Sequence, residues 1–170
     1  MQPRMAQGSS RWSAALRSEV YRELEHPADL LLEIRAQDLP GLLANALIAF
    51  YDQSADLAGF EPRRELTLEV HGDQPADALR NLLSEALYHF DTERFVGTEA
   101  SVTVEGPAPG ALAEELGPLR VRAFLRGENA DPHRHVLTTE IKAVTYHLLS
   151  VEKVVTDGGS AWRATVLFDI

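Results

Sequence analysis

The sequence predicts an α+β fold, an α/β sandwich in which mainly antiparallel sheets pack around two amphipathic helices. Two segments repeat apolar residues at helical spacing, and several others alternate with period two. Their order is strand, helix, strand, helix and then mostly strands, which fits helices packed on antiparallel sheet. With 170 residues, 45% of them hydrophobic, the chain can bury one ordinary core.

Met1–Ser18 holds arginines and small polar residues without an apolar h-region, so it reads as a flexible tail rather than a secretory signal. A single domain is expected over residues 19–170. Leu30–Arg35 reads as the first strand. Asp38 can cap a helix bearing Leu39, Leu42, Leu43, Ala46, Leu47, Phe50 and Tyr51 on one face, with Pro40 tolerated in its first turn. Leu66, Leu68 and Val70 alternate as a strand. A second helix starts near Asp73 and Pro75 and carries Leu79, Leu82, Leu83, Ala86, Leu87 and Phe90. Phe95–Val104 reads as a strand, and the breaker-rich stretch Gly106–Pro118 as a surface loop.

Leu119, Val121, Ala123 and Leu125 alternate with Arg120, Arg122 and Arg126. Val136–Lys142 and a run from Val144 to Val155 follow as strands. A hairpin through Asp157-Gly158-Gly159-Ser160 leads into Trp162–Phe168, a strand ordered to the last residue.

The formal charge is −10, from 16 Lys+Arg against 26 Asp+Glu. Such a surface repels phosphate backbones, so stable nucleic-acid binding by the chain alone is not expected. It suits cations or a basic protein surface, although acidity also serves plain solubility. The absence of cysteine excludes disulfides, thiolate metal sites and cysteine nucleophiles, and makes a reducing cytoplasm the default location. No stretch approaches the roughly 20 apolar residues of a membrane-spanning helix. The patterns GxxxxGK[ST], GxGxxG, GxSxG and HExxH are absent, and the 6 histidines show no zinc spacing.

What remains is a small polar set. Asp29 directly precedes Leu30-Leu31-Leu32, where a charge needs a partner; it is either a turn or capping residue or a hard oxygen ligand for Mg²⁺ or Ca²⁺. Asp169 and Ile170, the latter with its terminal carboxylate, either face solvent or complete a divalent-cation site with Asp29. In Thr139–His147, strand geometry puts Lys142, Val144 and Tyr146 on one face and Ile141, Ala143, Thr145 and His147 on the other. Lys142 is either an edge lysine that discourages aggregation or a partner for phosphate or carboxylate. His26 and His147 read more naturally as structural histidines than as ligands.

Five segments resemble the archease family: Tyr21-Arg-Glu-Leu-Glu-His-Pro-Ala-Asp29, Leu87–Phe95, Gly127-Glu128 with His135, Glu140-Ile-Lys-Ala-Val-Thr-Tyr-His147, and Val166-Leu-Phe-Asp-Ile170. The resemblance spans residues 21–170. It implies a divalent-cation-binding accessory protein, usually with Ca²⁺ (Mg²⁺ or Mn²⁺ being the alternatives), that activates an RtcB-type RNA ligase in tRNA splicing or RNA repair. It also implies metal ligands at Asp29, Asp169 and Ile170, with Lys142 close by and His26, Glu140 and His147 in the matching motifs. Pro27 departs from the family's usual threonine and removes a hydroxyl and an N–H beside Asp29. On the residues alone, a stand-alone metal-dependent hydrolase and a metal-free acidic adaptor stay open beside this reading.

Overall fold

A layer of helix lies between two sheets. The computed structural model describes residues 4–106 and 118–170, so most of the expected Gly106–Pro118 loop falls outside the described residues. The elements are β1 (Arg4–Arg11), a one-turn helix α1 (Arg17–Val20), β2 (Tyr21–Leu24), β3 (Leu30–Ala36), α2 (Leu39–Ser54), β4 (Arg64–Gly72) and α3 (Pro75–Glu93). They continue with β5 (Phe95–Gly106), β6 (Leu119–Asn129), β7 (Ala143–Val144), β8 (Ser150–Thr156) and β9 (Gly159–Asp169). One sheet has the order β1-β5-β6-β4; the other runs β2-β3-β9-β7, with β8 also paired to β9. Every pairing between these strands is antiparallel.

Asp38 caps α2 by accepting the Gly41 N–H at 2.7 Å. At α3 the cap is Gln74, in a reciprocal capping box with Asp77, rather than Asp73. α2 is more enclosed than its periodicity suggests. Leu42–Ala44 and Ala46–Tyr51 are all buried, because β1 and β5 cover one side and β3 the other. Aromatic rings tie the layers together. Phe50 of α2 lies 6.2 Å from Phe168 of β9, and its neighbour Tyr51 lies 6.2 Å from Phe95 of β5.

Three segments differ from expectation. Arg4–Arg11 is not loose tail but an edge strand paired with β5 along its whole length; its half-buried positions, Ala6, Gly8 and Ser10, carry no large apolar side chain to announce it. Val136–Lys142 is not a strand. Apart from one isolated bridge, Ala55 to Leu137, its backbone groups go to helix ends and to β9. The run from Val144 to Val155 breaks at a turn closed by Leu149 N–H to Tyr146 O, with Leu148 at φ +58°. The expected division of faces fails accordingly: Ile141 and Val144 are both buried.

Candidate metal centre

Register puts the two aspartates at the same end of the sheet. β3 and β9 pair so that Leu30 faces Phe168, and Asp29 and Asp169 are the next residues outward from that last pair. On the other flank β7 places Ala143 opposite Asp169, and the Lys142 N–H donates to the Asp169 carbonyl at 2.7 Å. Asp169 therefore sits between Asp29 and Lys142. Leu30, Leu32, Val166 and Phe168 are buried toward the helices, so alternation turns both aspartates to the outer face. Asp169, Ile170, Lys142 and Glu140 are exposed, and the Asp29 side chain is 33% exposed. Like charges at neighbouring strand positions repel, and a cation relieves that.

The approach to Asp29 is strained. Ala28 takes φ +67°, a left-handed conformation that costs a residue with a Cβ about 1–2 kcal/mol. Such strain concentrates where a side chain must be aimed. His26 turns back over the same corner, with Nδ1 3.2 Å from the Pro27 carbonyl and 3.9 Å from Asp29 Oδ2.

Lys142 is delivered by a strap, residues 130–142, that crosses this end of the molecule. The Ala130 N–H donates to Arg94 O at the C-cap of α3. Farther along, Val136 O accepts from Asp56 N–H, while the Thr138 N–H and hydroxyl donate to Ser54 O and Gln53 O, carbonyls at the end of α2. Thr138 and Lys142 are four residues apart, so with the hydrogen bonds at either end the end of α2 lies within roughly 20 Å of Asp169 along the strap.

The strap is rooted in a buried cluster. Glu128, 6% exposed, accepts the Glu61 N–H at 2.7 Å and an Arg134 N–H at 3.2 Å. His135 Nδ1 accepts the Asp131 N–H, and its buried Nε2 lies 3.3 Å from Glu128 Oε2 without making a hydrogen bond. The imidazole stacks on Phe60 with centroids 3.8 Å apart. Burial by itself raises the Glu128 pKa, but the Glu61 N–H, Arg134 and His135 outweigh it and hold the carboxyl below its ordinary range.

Residues 21–170 match the model of the archease protein family. The chain belongs to the archease family. It is 33% identical over 150 residues to the protein archease of Methanopyrus kandleri, covering 88% of this chain and 99% of that protein. Against the Archaeoglobus fulgidus protein archease the identity is 35% over 150 residues, covering 88% and 98%. The fold matches the solution structure of Methanobacterium thermoautotrophicum Protein 1598 with a TM-score of 0.69 at 22% identity, covering 88% of this chain and 98% of that one.

In this archease-family chain the expected residues separate into two groups. Asp29, Asp169, Ile170, Lys142 and His26 gather at one sheet end, with exposed Glu140 two residues along the strap. His147 stands apart, exposed in the turn between β7 and β8. Among the described residues no three His, Asp or Glu side chains converge as a ready-made metal cage. The oxygen donors at this sheet end are carboxylates and backbone carbonyls, a donor type that suits a hard cation such as Ca²⁺ or Mg²⁺. Among the described residues no helix is long and apolar enough to cross a membrane. Sequence reading missed the strain at Ala28 and the roles of Glu128 and His135. A glutamate closing an alternating strand, with a histidine seven residues on, was the available signal.

Proposed function

We propose that this archease-family protein binds a divalent cation, Ca²⁺ ahead of Mg²⁺ or Mn²⁺, and activates an RtcB-type RNA ligase in the cytoplasm. In this reading it promotes guanylylation and multiple turnover of the ligase during tRNA splicing or RNA repair, and performs no catalytic step itself. What supports the reading is the register of β3 and β9, which stops at Leu30 opposite Phe168 and so leaves Asp29 and Asp169 at the same sheet end as Lys142 and Ile170. Asp29, Asp169 and an oxygen of Ile170 hold the cation, and Lys142 offsets their charge or meets a phosphate. These oxygens number fewer than the 6–8 that Ca²⁺ takes, so water or the partner completes the shell.

The test is ligase guanylylation followed over several turnovers with wild-type, Asp29→Ala and Asp169→Ala protein. Both variants lose the stimulation of later turnovers; unchanged stimulation by both overturns the proposal. Calorimetry with Ca²⁺, Mg²⁺ and Mn²⁺ isolates the cation: an absence of binding favours a metal-free adaptor. Hydrolysis of phosphoesters by the purified protein alone favours a hydrolase.

A further inference from the structure

The family match begins at Tyr21, and the relatives account for 88% of this chain while being themselves 98–99% covered. β1 and the turn after it are therefore an addition to the archease domain. The addition occupies the edge of β5, with Arg4–Arg11 paired in unbroken register to Gly106–Glu99. It is then clamped to α2. The Trp12 N–H donates to Thr98 O at 2.9 Å, its indole N–H to Asp52 Oδ1 at 2.7 Å, and the Arg17 guanidinium to both Asp52 oxygens at 2.6 and 3.0 Å. Gly8 fits its place because no Cβ does: one would stand 2.4 Å from Gly41 N and 2.7 Å from the Pro40 carbonyl carbon.

The addition is specific but lightly held. No described residue of β1 is buried, and α1 buries none. Among the described residues ahead of Tyr21, Trp12 and Val20 are the hydrophobic side chains that pack against the core, both partly exposed. Main-chain pairing at a sheet edge is offset by the entropy of ordering the segment, and no buried side chain of β1 adds to it, so the Asp52 clamp decides whether the strand stays.

We propose that the β5 edge is a strand-addition site for an extended peptide, and that Arg4–Arg17 is its built-in, releasable ligand. Such a peptide carries glycine where it passes the first turn of α2, tryptophan four residues later for Asp52, and a cation five beyond that. Main-chain pairing supplies the affinity and these three positions the selectivity. In the intact chain the tethered segment holds the edge by its high effective concentration and excludes competitors.

The probe is a labelled synthetic peptide with the sequence of residues 4–17, titrated against the full-length chain. Gly8→Leu in the chain expels β1 and opens the edge, so that variant binds the peptide at least about tenfold more tightly than wild type. A peptide carrying Gly8→Leu does not bind. Trp12→Ala with Arg17→Ala loosens the clamp and gives the same gain without a bulky residue. Hydrogen exchange on the wild-type chain tests the idea without any variant. Amides of β5 that donate to β1 exchange at least about tenfold faster than those that donate to β6. Equal, slow exchange on both sides of β5, or folded variants that take up no more peptide than wild type, overturns the proposal.

Discussion

Replacing Glu128 with glutamine measures what one buried charge contributes to the strap that carries Lys142. Glutamine keeps the shape and still accepts the Glu61 N–H, so the loss is the difference between a charge-assisted bond and a neutral one, about 1 kcal/mol. The cations add little. Arg134 and Arg63 are 43% and 60% exposed, and pairs that solvated contribute about 0–1 kcal/mol. The expected cost near neutral pH is therefore about 1–2 kcal/mol.

The pH dependence gives the sharper test. The folded carboxyl binds its proton more weakly than the unfolded one, so the unfolded chain protonates first as the pH falls. The stabilisation is fully present above the ordinary glutamate value of about 4.3 and is lost as the pH drops through the lower folded value. Glutamine cannot titrate. Urea unfolding of both proteins should thus show a gap near neutral pH that closes in acid, below the ordinary carboxylate range. A gap that is absent near neutral pH, or that persists undiminished in acid, refutes the reasoning.

Other substitutions probe the site and its frame. Ala28→Gly removes the left-handed strain before Asp29 and should stabilise the fold by roughly 0.5–1 kcal/mol after glycine's own entropic cost, read by thermal melting; a lower melting point contradicts the strain argument. Phe168→Ala empties the contact that joins β9 to α2 and should cost about 3–5 kcal/mol in urea unfolding. Lys142→Ala keeps the backbone bond to Asp169, so stability should stay within about 0.5 kcal/mol while stimulation of the ligase's later turnovers falls. A loss of stability in that variant would make Lys142 structural.

Elements with one buried face were readable from sequence. In β6, Leu119, Val121, Ala123 and Leu125 face the helices and the residues between them face solvent, so alternation and burial coincide. β1 has no such signal, because the face it turns to α2 is only half-buried and carries Ala6, Gly8 and Ser10 rather than large apolar residues. Val136–Lys142 misled in the opposite direction. Its Val, Leu, Thr and Ile residues suit a strand, but the carbonyls left over at the end of α2 and the end of β9 claim its backbone first. The break after Val144 carries no glycine or proline, since Leu148 itself takes the left-handed conformation.

The site was readable as a set of suspects but not as a constellation, and the reason lies in how buried strands align. Leu30-Leu31-Leu32 and Val166-Leu167-Phe168 pair residue against residue, so the apolar triplets finish flush with one another. The first polar residue beyond each then leaves the sheet at the same end, whatever their separation in sequence. That makes the shared location of Asp29 and Asp169 a consequence of core packing, recoverable from sequence once antiparallel pairing of those two strands is assumed. Lys142 follows a different logic. Its position depends on a thirteen-residue strap whose anchors are helix-terminal carbonyls and the buried Glu128 cluster, none of which leaves a periodic trace. His147 illustrates the limit: it belongs to the same motif as Lys142, yet it lies in the exposed turn between β7 and β8. Loosening the strap at Glu128 should therefore affect Lys142 while leaving the Asp29–Asp169 pair, fixed by β3 and β9, in place.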